Sequence, residues 1–291
     1  MNDTIQDSSL SIRPMEGALG ADVSGVDLSK PVNDADIAAL HRALGEHCVL
    51  VFHGQTPTPA SLVDFSRKFG PLEHHVLQDY LLPGFPEIYV ISNVKEDGKP
   101  VGRAGAGQYW HSDLSYVKEP SLGSIMAAVE VPEGKGDTLF ANMYEAYEAL
   151  SEPMKAYLGN VHAVHDFAYT QRTQIAGKGY TEPATAEQLA KTPPVSHPAV
   201  RTHPDSGRKA LYVNPGMTSH LDGVPPEESR AVLDFLYDHA ISPAFVYRHR
   251  WQPGDVVFWD NRCSMHCATD DYGAEDRRLM WRTTVKGDAP F

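Results

Sequence analysis

A chain of 291 residues, 42% hydrophobic and 22% charged, is long enough for one large domain or two ordinary ones around a sizeable core. Its formal net charge of −13 argues against a nucleic-acid backbone as partner, which calls for clustered Lys and Arg. Three cysteines make neither a disulfide framework nor a Cys-x-x-Cys zinc pair, and no apolar run is long enough to span a bilayer, so a reducing cytoplasm is the expected compartment.

In chain order, the polar start MNDTIQDSSL reads as a flexible tail over residues 1–10, without the basic and apolar regions of an export leader. Residues 11–291 are expected to form a single domain, since Pro and Gly are scattered and no linker or repeat stands out. LGADVSGVDLS reads as a strand with a turn. From Asn33, NDADIAALHRALGEH combines a capping residue, an acidic first turn and apolar Ile37, Leu40 and Leu44 at helical spacing, which predicts a helix. HCVLVFHG predicts a buried strand ended by Gly54. TPASLVDFSRKFG predicts a second helix, with Pro59 near its start and Gly70 just past its end. Beyond it, EIYVISNV, GQYWHSDLSYV, SIMAAVEVP, KALYVN, AFVYRHRW and DVVFWDN are short and rich in β-branched and aromatic residues, as strands are. MYEAYEALSEPMKAYLG and PPEESRAVLDFLYDHA are expected as interrupting helices. The expected fold class is mainly β with helical decoration, a sandwich or barrel core.

His-x-Asp occurs three times, at His111-Ser112-Asp113, His203-Pro204-Asp205 and His220-Leu221-Asp222. The last two are flanked by turn residues and are read as turns. In QYWHSDLSYV, a strand would set His111 and Asp113 on one face, as two ligands of one metal require; a merely solvated strand face is the competing reading. A third ligand from a distant strand is best supplied by His266, beyond the apolar strand at 256–259. Two histidines and one carboxylate form the facial triad of non-haem Fe(II) oxygenases, whereas catalytic zinc more often takes other sets.

These segments resemble the taurine dioxygenase/2,4-D dioxygenase (TauD/TfdA) family of Fe(II)- and 2-oxoglutarate-dependent dioxygenases, from about residue 12 onward. The resemblance runs through GADVSGVDL, VLVFHGQ, FSRKFGPLE, WHSD, GDTLFANMYEAYEAL, HPAVRTHPDSGRKALYVN, RHRWQPGDVVFWDNR, MHCATDDY and RRLMWRTTVKGD. It implies a double-stranded β-helix (jelly-roll) core, with His111, Asp113 and His266 as iron ligands. It also implies Arg278 and Thr138 as partners of the distal carboxylate of 2-oxoglutarate, and O2 as the other co-substrate. A loop one residue longer than in taurine dioxygenase leaves Arg277 as a competitor for the role of Arg278.

The family's sulfonate-binding positions fall on His75 and Arg282, an imidazolium and a guanidinium around a small anionic organic substrate. Its amine contacts fall on Gln78 and Gly107, a poor match that tells against taurine itself, although Tyr80 or Gln108 could compensate. Met217 stands where that enzyme has an aromatic, leaving room for a bulkier apolar body. Tyr109, Trp110 and Trp259 are expected to keep the pocket dry.

The implied reaction hydroxylates a substrate C–H while 2-oxoglutarate becomes succinate and CO2. The first expectation is an alkylsulfonate such as a taurine analogue, giving an aldehyde plus sulfite. An aryloxyalkanoate of the 2,4-D or dichlorprop kind, or another small carboxylate, is the alternative. A zinc-dependent cupin-like hydrolase or isomerase, or a non-catalytic cupin-like metal-binding protein, is a distant one. No nucleic-acid or membrane partner is expected, and a homo-oligomer stays open.

Overall fold

The computed structural model describes residues 9–176 and 184–291, so most of the expected tail lies outside the described residues. Ser9, at its end, donates a hydrogen bond through Oγ to the carbonyl of Gly25.

An eight-stranded sheet runs in the spatial order Ser11–Pro14, Ala21–Ser24, Val49–Phe52, Val256–Asp260, Ser121–Glu130, Leu279–Lys286, Phe85–Ser92 and Leu81–Leu82. Every pairing in it is antiparallel except that of Ala21–Ser24 with Val49–Phe52. A three-stranded sheet of Val246–His249, Thr138–Asn142 and Ser264–Ala268 faces it. The period-2 pleat of the strands decides what lies between and outside these layers. Val49, Val51, Met126, Val257, Trp259 and Met280 point to one side, into a core shared with Phe140 and Met265. Leu50, Phe52, Ile125, Ala127, Val256 and Phe258 point to the other side. There the helices Asp34–His47 and Pro59–Arg67 cover them with Leu40, Leu44, Leu62 and Phe65. Each such leucine or phenylalanine removed from water contributes about 1.5–3 kcal/mol. The result is a helix-decorated, mainly β jelly roll.

Both predicted N-terminal helices form as their sequences dictate. Asn33 caps the first by accepting from the Asp36 N–H, and Thr58 caps the second with a reciprocal bond to Ser61. Two expectations need correction. MYEAYEALSEPMKAYLG is two helices, Met143–Glu148 and Glu152–Leu158. Ser151 accepts from the Met154 N–H, and with Pro153 in the first turn it starts a new helix rather than continuing the old one. GQYWHSDLSYV is not a strand. Only His111 pairs, through reciprocal backbone bonds of 3.0 and 2.8 Å with His266, after which the chain turns and Leu114 takes φ of 58°. No helix among the described residues is long and apolar enough to cross a membrane.

Candidate active site

The bridge between His111 and His266 brings two histidines far apart in the chain side by side, ring centroids 4.2 Å apart. The turn that follows swings Asp113 back between them, its oxygens 3.7 Å from His111 Nε2 and 3.8 Å from His266 Nε2. Possible ligand atoms of all three residues lie within 4.8 Å of one another, and all three are buried. The sequence expectation about which residues meet is met, although a turn rather than a strand pleat brings them together.

Neighbouring groups set the chemical state of each. The His111 Nδ1–H donates to the Tyr109 carbonyl at 2.7 Å, which leaves the Nε2 lone pair facing the other two residues. Burial, with the repulsion of His111, holds the His266 imidazole well below its ordinary pKa and therefore neutral. Burial pushes the Asp113 carboxyl upward, but Arg282 and the two histidines outweigh it and hold the group far below the usual carboxylate range. Asp113 Oδ2 accepts from Ser124 Oγ at 2.8 Å and Oδ1 from Arg282 Nη1 at 2.9 Å. Two imidazoles and an ionised carboxylate are the donor set a divalent transition metal takes.

Asn261 organises this group from below. Its Oδ1 accepts from the Asp113 N–H at 3.1 Å and from Trp259 Nε1–H at 3.1 Å. Its Nδ2 donates to Ser121 Oγ and Ser124 Oγ, and its carbonyl accepts from Ser112 Oγ. Trp259 in turn packs its ring 4.7 Å from that of His266. Sequence reasoning passed over Asn261 and Ser124. The first stands in WDNR, but Ser124 lies in the mostly apolar strand Ser121–Glu130, and nothing local marks it.

One chamber opens beside His266, lined by Thr138, Met126, Ile91 and Arg278 among others. Arg278 is 3% exposed, and its Nε finds no partner among the described residues. Burial lowers its pKa, which Tyr272 partly offsets. A Cβ at Gly136, where φ is +71°, would sit 3.0 Å from Arg278 Cδ and Nε, so glycine there makes room for the guanidinium. Thr138 Oγ1 accepts from Trp251 Nε1–H at 3.0 Å, which leaves its own O–H to donate. Arg277 points the other way and pairs with the exposed Glu130 at 2.6 and 3.0 Å.

A second chamber lies over His111 and Asp113. Tyr89, Tyr109, Tyr116, Phe167 and Met217 form its apolar walls, with His75, Arg103 and Arg282 among them. Met217 and Arg282 thus both line this chamber. His75 also reaches the chamber, stacked on Tyr89 at 4.0 Å, but not as an imidazolium. Burial, with the charges of Arg282 and Arg103, pulls its pKa down to about 3. Its Nδ1 accepts from the Leu77 N–H, so Nε2 carries the proton.

Gln78 is exposed at the start of a short turn and does not line the chamber, which is reached by Leu77 instead. Gly107 does line it, and its lack of a side chain has a packing reason. A Cβ there would lie 3.0 Å from His111 Cε1. Tyr80 packs edge-on to Tyr89 outside the lining, and Trp110 lies apart from both chambers, packed on the core.

A second cluster, His203, Asp260 and Cys263, also gathers metal-type ligands. Its atoms are already committed. His203 Nε2 bonds Asp260 at 3.0 Å, its Nδ1 accepts from the N–H groups of Asp205 and Ser206, and Arg262 grips the Asp260 carboxylate. The turn expected at 203–207 is present, but His203 rather than Asp205 bonds the local backbone, while Asp205 pairs with Arg262 at 2.8 Å. His220 ends up exposed on the strand Thr218–Leu221, and Asp222 accepts from Ser196 in the turn beyond it.

Comparison with known proteins agrees with this geometry. Residues 11–284 match the family model described as taurine catabolism dioxygenase TauD, TfdA family. The alpha-ketoglutarate-dependent 2,4-dichlorophenoxyacetate dioxygenase of Cupriavidus pinatubonensis is 36% identical over 97% of this chain and 99% of that protein. An (S)-phenoxypropionate/alpha-ketoglutarate-dioxygenase of Sphingobium herbicidovorans is 34% identical over 95% of each. The crystal structure of a taurine dioxygenase from Burkholderia xenovorans superposes with a TM-score of 0.80 at 33% identity, covering 97% of this chain and 91% of that one. That of AAD-2 in complex with Mn(II) and N-oxalylglycine gives 0.81 at 32% identity, covering 97% and 98%. With its jelly roll, its His-Asp-His group and these likenesses, the chain belongs to the TauD/TfdA family and is a 2-oxoglutarate-dependent non-haem iron dioxygenase.

Proposed function

We propose that the chain hydroxylates the carbon beside the ether oxygen of an aryloxyalkanoate, a small carboxylate with an aromatic body. The observation that carries this reading is the chamber over His111 and Asp113. Its walls are mostly aromatic and apolar, two guanidiniums reach it, and Asp113 is the only carboxylate lining it among the described residues. Such a wall accepts an aromatic ring and one negative charge, and its one carboxylate is the proposed metal ligand, which leaves none for an ammonium. Relatives named for 2,4-dichlorophenoxyacetate and phenoxypropionate support it.

In this reading His111 Nε2, His266 Nε2 and the Asp113 carboxylate hold Fe(II). When bound, iron with 2-oxoglutarate and O2 supplies oxidation of the substrate C–H, 2-oxoglutarate leaving as succinate and CO2. Arg278, a buried cation with an unpaired Nε, grips the distal carboxylate of 2-oxoglutarate while Thr138 donates its hydroxyl to it. Tyr109 fixes the His111 tautomer, Ser124 and Arg282 fix the Asp113 carboxylate, and Trp259 and Phe140 shield the His266 ring from water. Hydroxylation next to the ether oxygen gives a hemiacetal, which collapses to a phenol and an α-oxo acid. All three cysteines are free, which suits the reducing cytoplasm that would keep the iron ferrous.

A second reading keeps the same machinery and replaces the substrate carboxylate by a sulfonate or sulfate, with sulfite or sulfate leaving. The likeness to a taurine dioxygenase, and a relative of 32% identity named as a sulfate ester dioxygenase in Pseudomonas putida, favour it. Succinate formation measured with 2,4-dichlorophenoxyacetate, an alkylsulfonate and an alkyl sulfate separates the two. Coupled release of succinate and 2,4-dichlorophenol is expected. Coupling only with the sulfur compounds would replace the first reading by the second.

A further inference from the structure

We infer that Arg103 is the residue that anchors the anionic end of the substrate and so selects for charge, an assignment that rests on the dioxygenase reading above. Arg103 is fixed by its backbone. Its N–H donates to the Val90 carbonyl and its own carbonyl accepts from the Ser92 N–H, both at 3.0 Å, against the strand Phe85–Ser92. A Cβ on the preceding Gly102 would lie 2.7 Å from the Val90 carbonyl oxygen, so only glycine lets the segment approach this closely. From that position the side chain enters the chamber over His111 and Asp113, where His75, Tyr89 and Tyr109 all feel its charge.

Three groups in this chamber could receive an anion, and two are compromised. Arg282 spends Nη1 on Asp113 at 2.9 Å and lies over the Tyr89 ring at 5.3 Å. His75 is neutral and offers one Nε2–H. Arg103 has no carboxylate within salt-bridge distance among the described residues, although it is half-buried and faces aromatic walls. A guanidinium withdrawn from water without a counter-ion is costly, and a substrate carboxylate or sulfonate relieves that cost where a neutral analogue does not. The bidentate geometry of the guanidinium then orients the anion, with His75 Nε2–H as an auxiliary donor.

The test is calorimetric titration of phenoxyacetate, and of its neutral isostere 2-phenoxyethanol, into the full-length protein loaded with Mn(II) and N-oxalylglycine. Wild type, Arg103→Met and Arg103→Lys are compared, together with turnover of the Fe(II) enzyme. The expected result is a Kd for phenoxyacetate raised at least about 30-fold in Arg103→Met and largely restored in Arg103→Lys. The Kd for phenoxyethanol should hardly change. An equal Kd for phenoxyacetate in wild type and Arg103→Met overturns the assignment. An equal loss for acid and alcohol also overturns it, because that reports a structural role. Wild type that binds phenoxyacetate through Arg103 but never oxidises an aryloxyalkanoate would sink the proposed reaction and leave the anchor standing. Wild type that does not bind it at all would overturn both.

Discussion

Arg277 and Arg278 are neighbours in sequence and opposites in environment. The first is spent on an exposed pair with Glu130, which solvent screens and which contributes little. The second is buried beside Thr138 with its Nε unpaired. Replacing Arg278 by Leu is expected to raise KM for 2-oxoglutarate by at least about 30-fold, the scale of losing one member of a desolvated charge pair. Arg277→Leu should stay within about 2-fold. Succinate formation against 2-oxoglutarate concentration measures both, and equal effects would contradict the assignment. The one-residue length difference in the loop left this choice open in the sequence, because adjacent arginines look alike until one of them is buried. His75 shows the same limit from the other side. Its place at the chamber follows from the FGPLEHHV segment, but its charge depends on Tyr89, Arg103 and Arg282, which are remote in sequence.

Among the elements, those with local signals were legible and those defined by a distant partner were not. Asn33, Thr58 and the apolar spacing of Ile37, Leu40 and Leu44 announce two helices, and VLVF announces a strand buried on both faces. WHSDLSYV carries the aromatic content of a strand, yet its partner His266 offers one bridge before the chain turns at Asp113. Strands are made by their neighbours, so composition alone over-assigned this one. Ser151 and Pro153 were visible breakers inside a helical pattern that periodicity carried across. The turn after His111 also explains why Asn261 matters. By accepting the Asp113 N–H, it ties the end of Val256–Asp260 to the metal-binding turn. Asn261→Ala is expected to weaken Mn(II) binding about 10–100-fold in protein that remains folded. Titration of the variant followed by electron paramagnetic resonance, with circular dichroism as the control for folding, checks this. A lowered melting temperature with unchanged Mn(II) affinity would show that Asn261 supports the fold alone.

At the scale of the whole molecule, the alternating faces of the large sheet divide the interior into a helix-covered core and a sheet-on-sheet core, with the site at the edge of the second. A buried polar contact ties the strand His162–His165 to the metal-binding turn. His165, fully buried on the strand His162–His165, bonds through Nδ1 to Ser115, two residues beyond Asp113, while its Nε2 lacks a partner among the described residues. Burial and His197 pull its pKa down to about 3. A histidine depressed in the folded state takes up a proton on unfolding at any pH below its ordinary value of about 6.5. Its contribution is therefore intact above that value and is lost as pH falls toward 3, at about 1.4 kcal/mol per pH unit. From pH 7 to pH 5 the wild type should lose about 2 kcal/mol more unfolding free energy than His165→Gln. Urea unfolding of both proteins at the two pH values measures the difference, and parallel losses would contradict it.

The central claim is that His111, Asp113 and His266 hold one ferrous ion and that 2-oxoglutarate, anchored by Arg278, chelates it. Anaerobic visible absorption tests this most directly. The account predicts a charge-transfer band in the wild type that requires both Fe(II) and 2-oxoglutarate. The band should be missing in His266→Ala, and in Arg278→Leu it should return only at much higher 2-oxoglutarate. A wild type without the band, or a band of equal strength in wild type and His266→Ala, would contradict it.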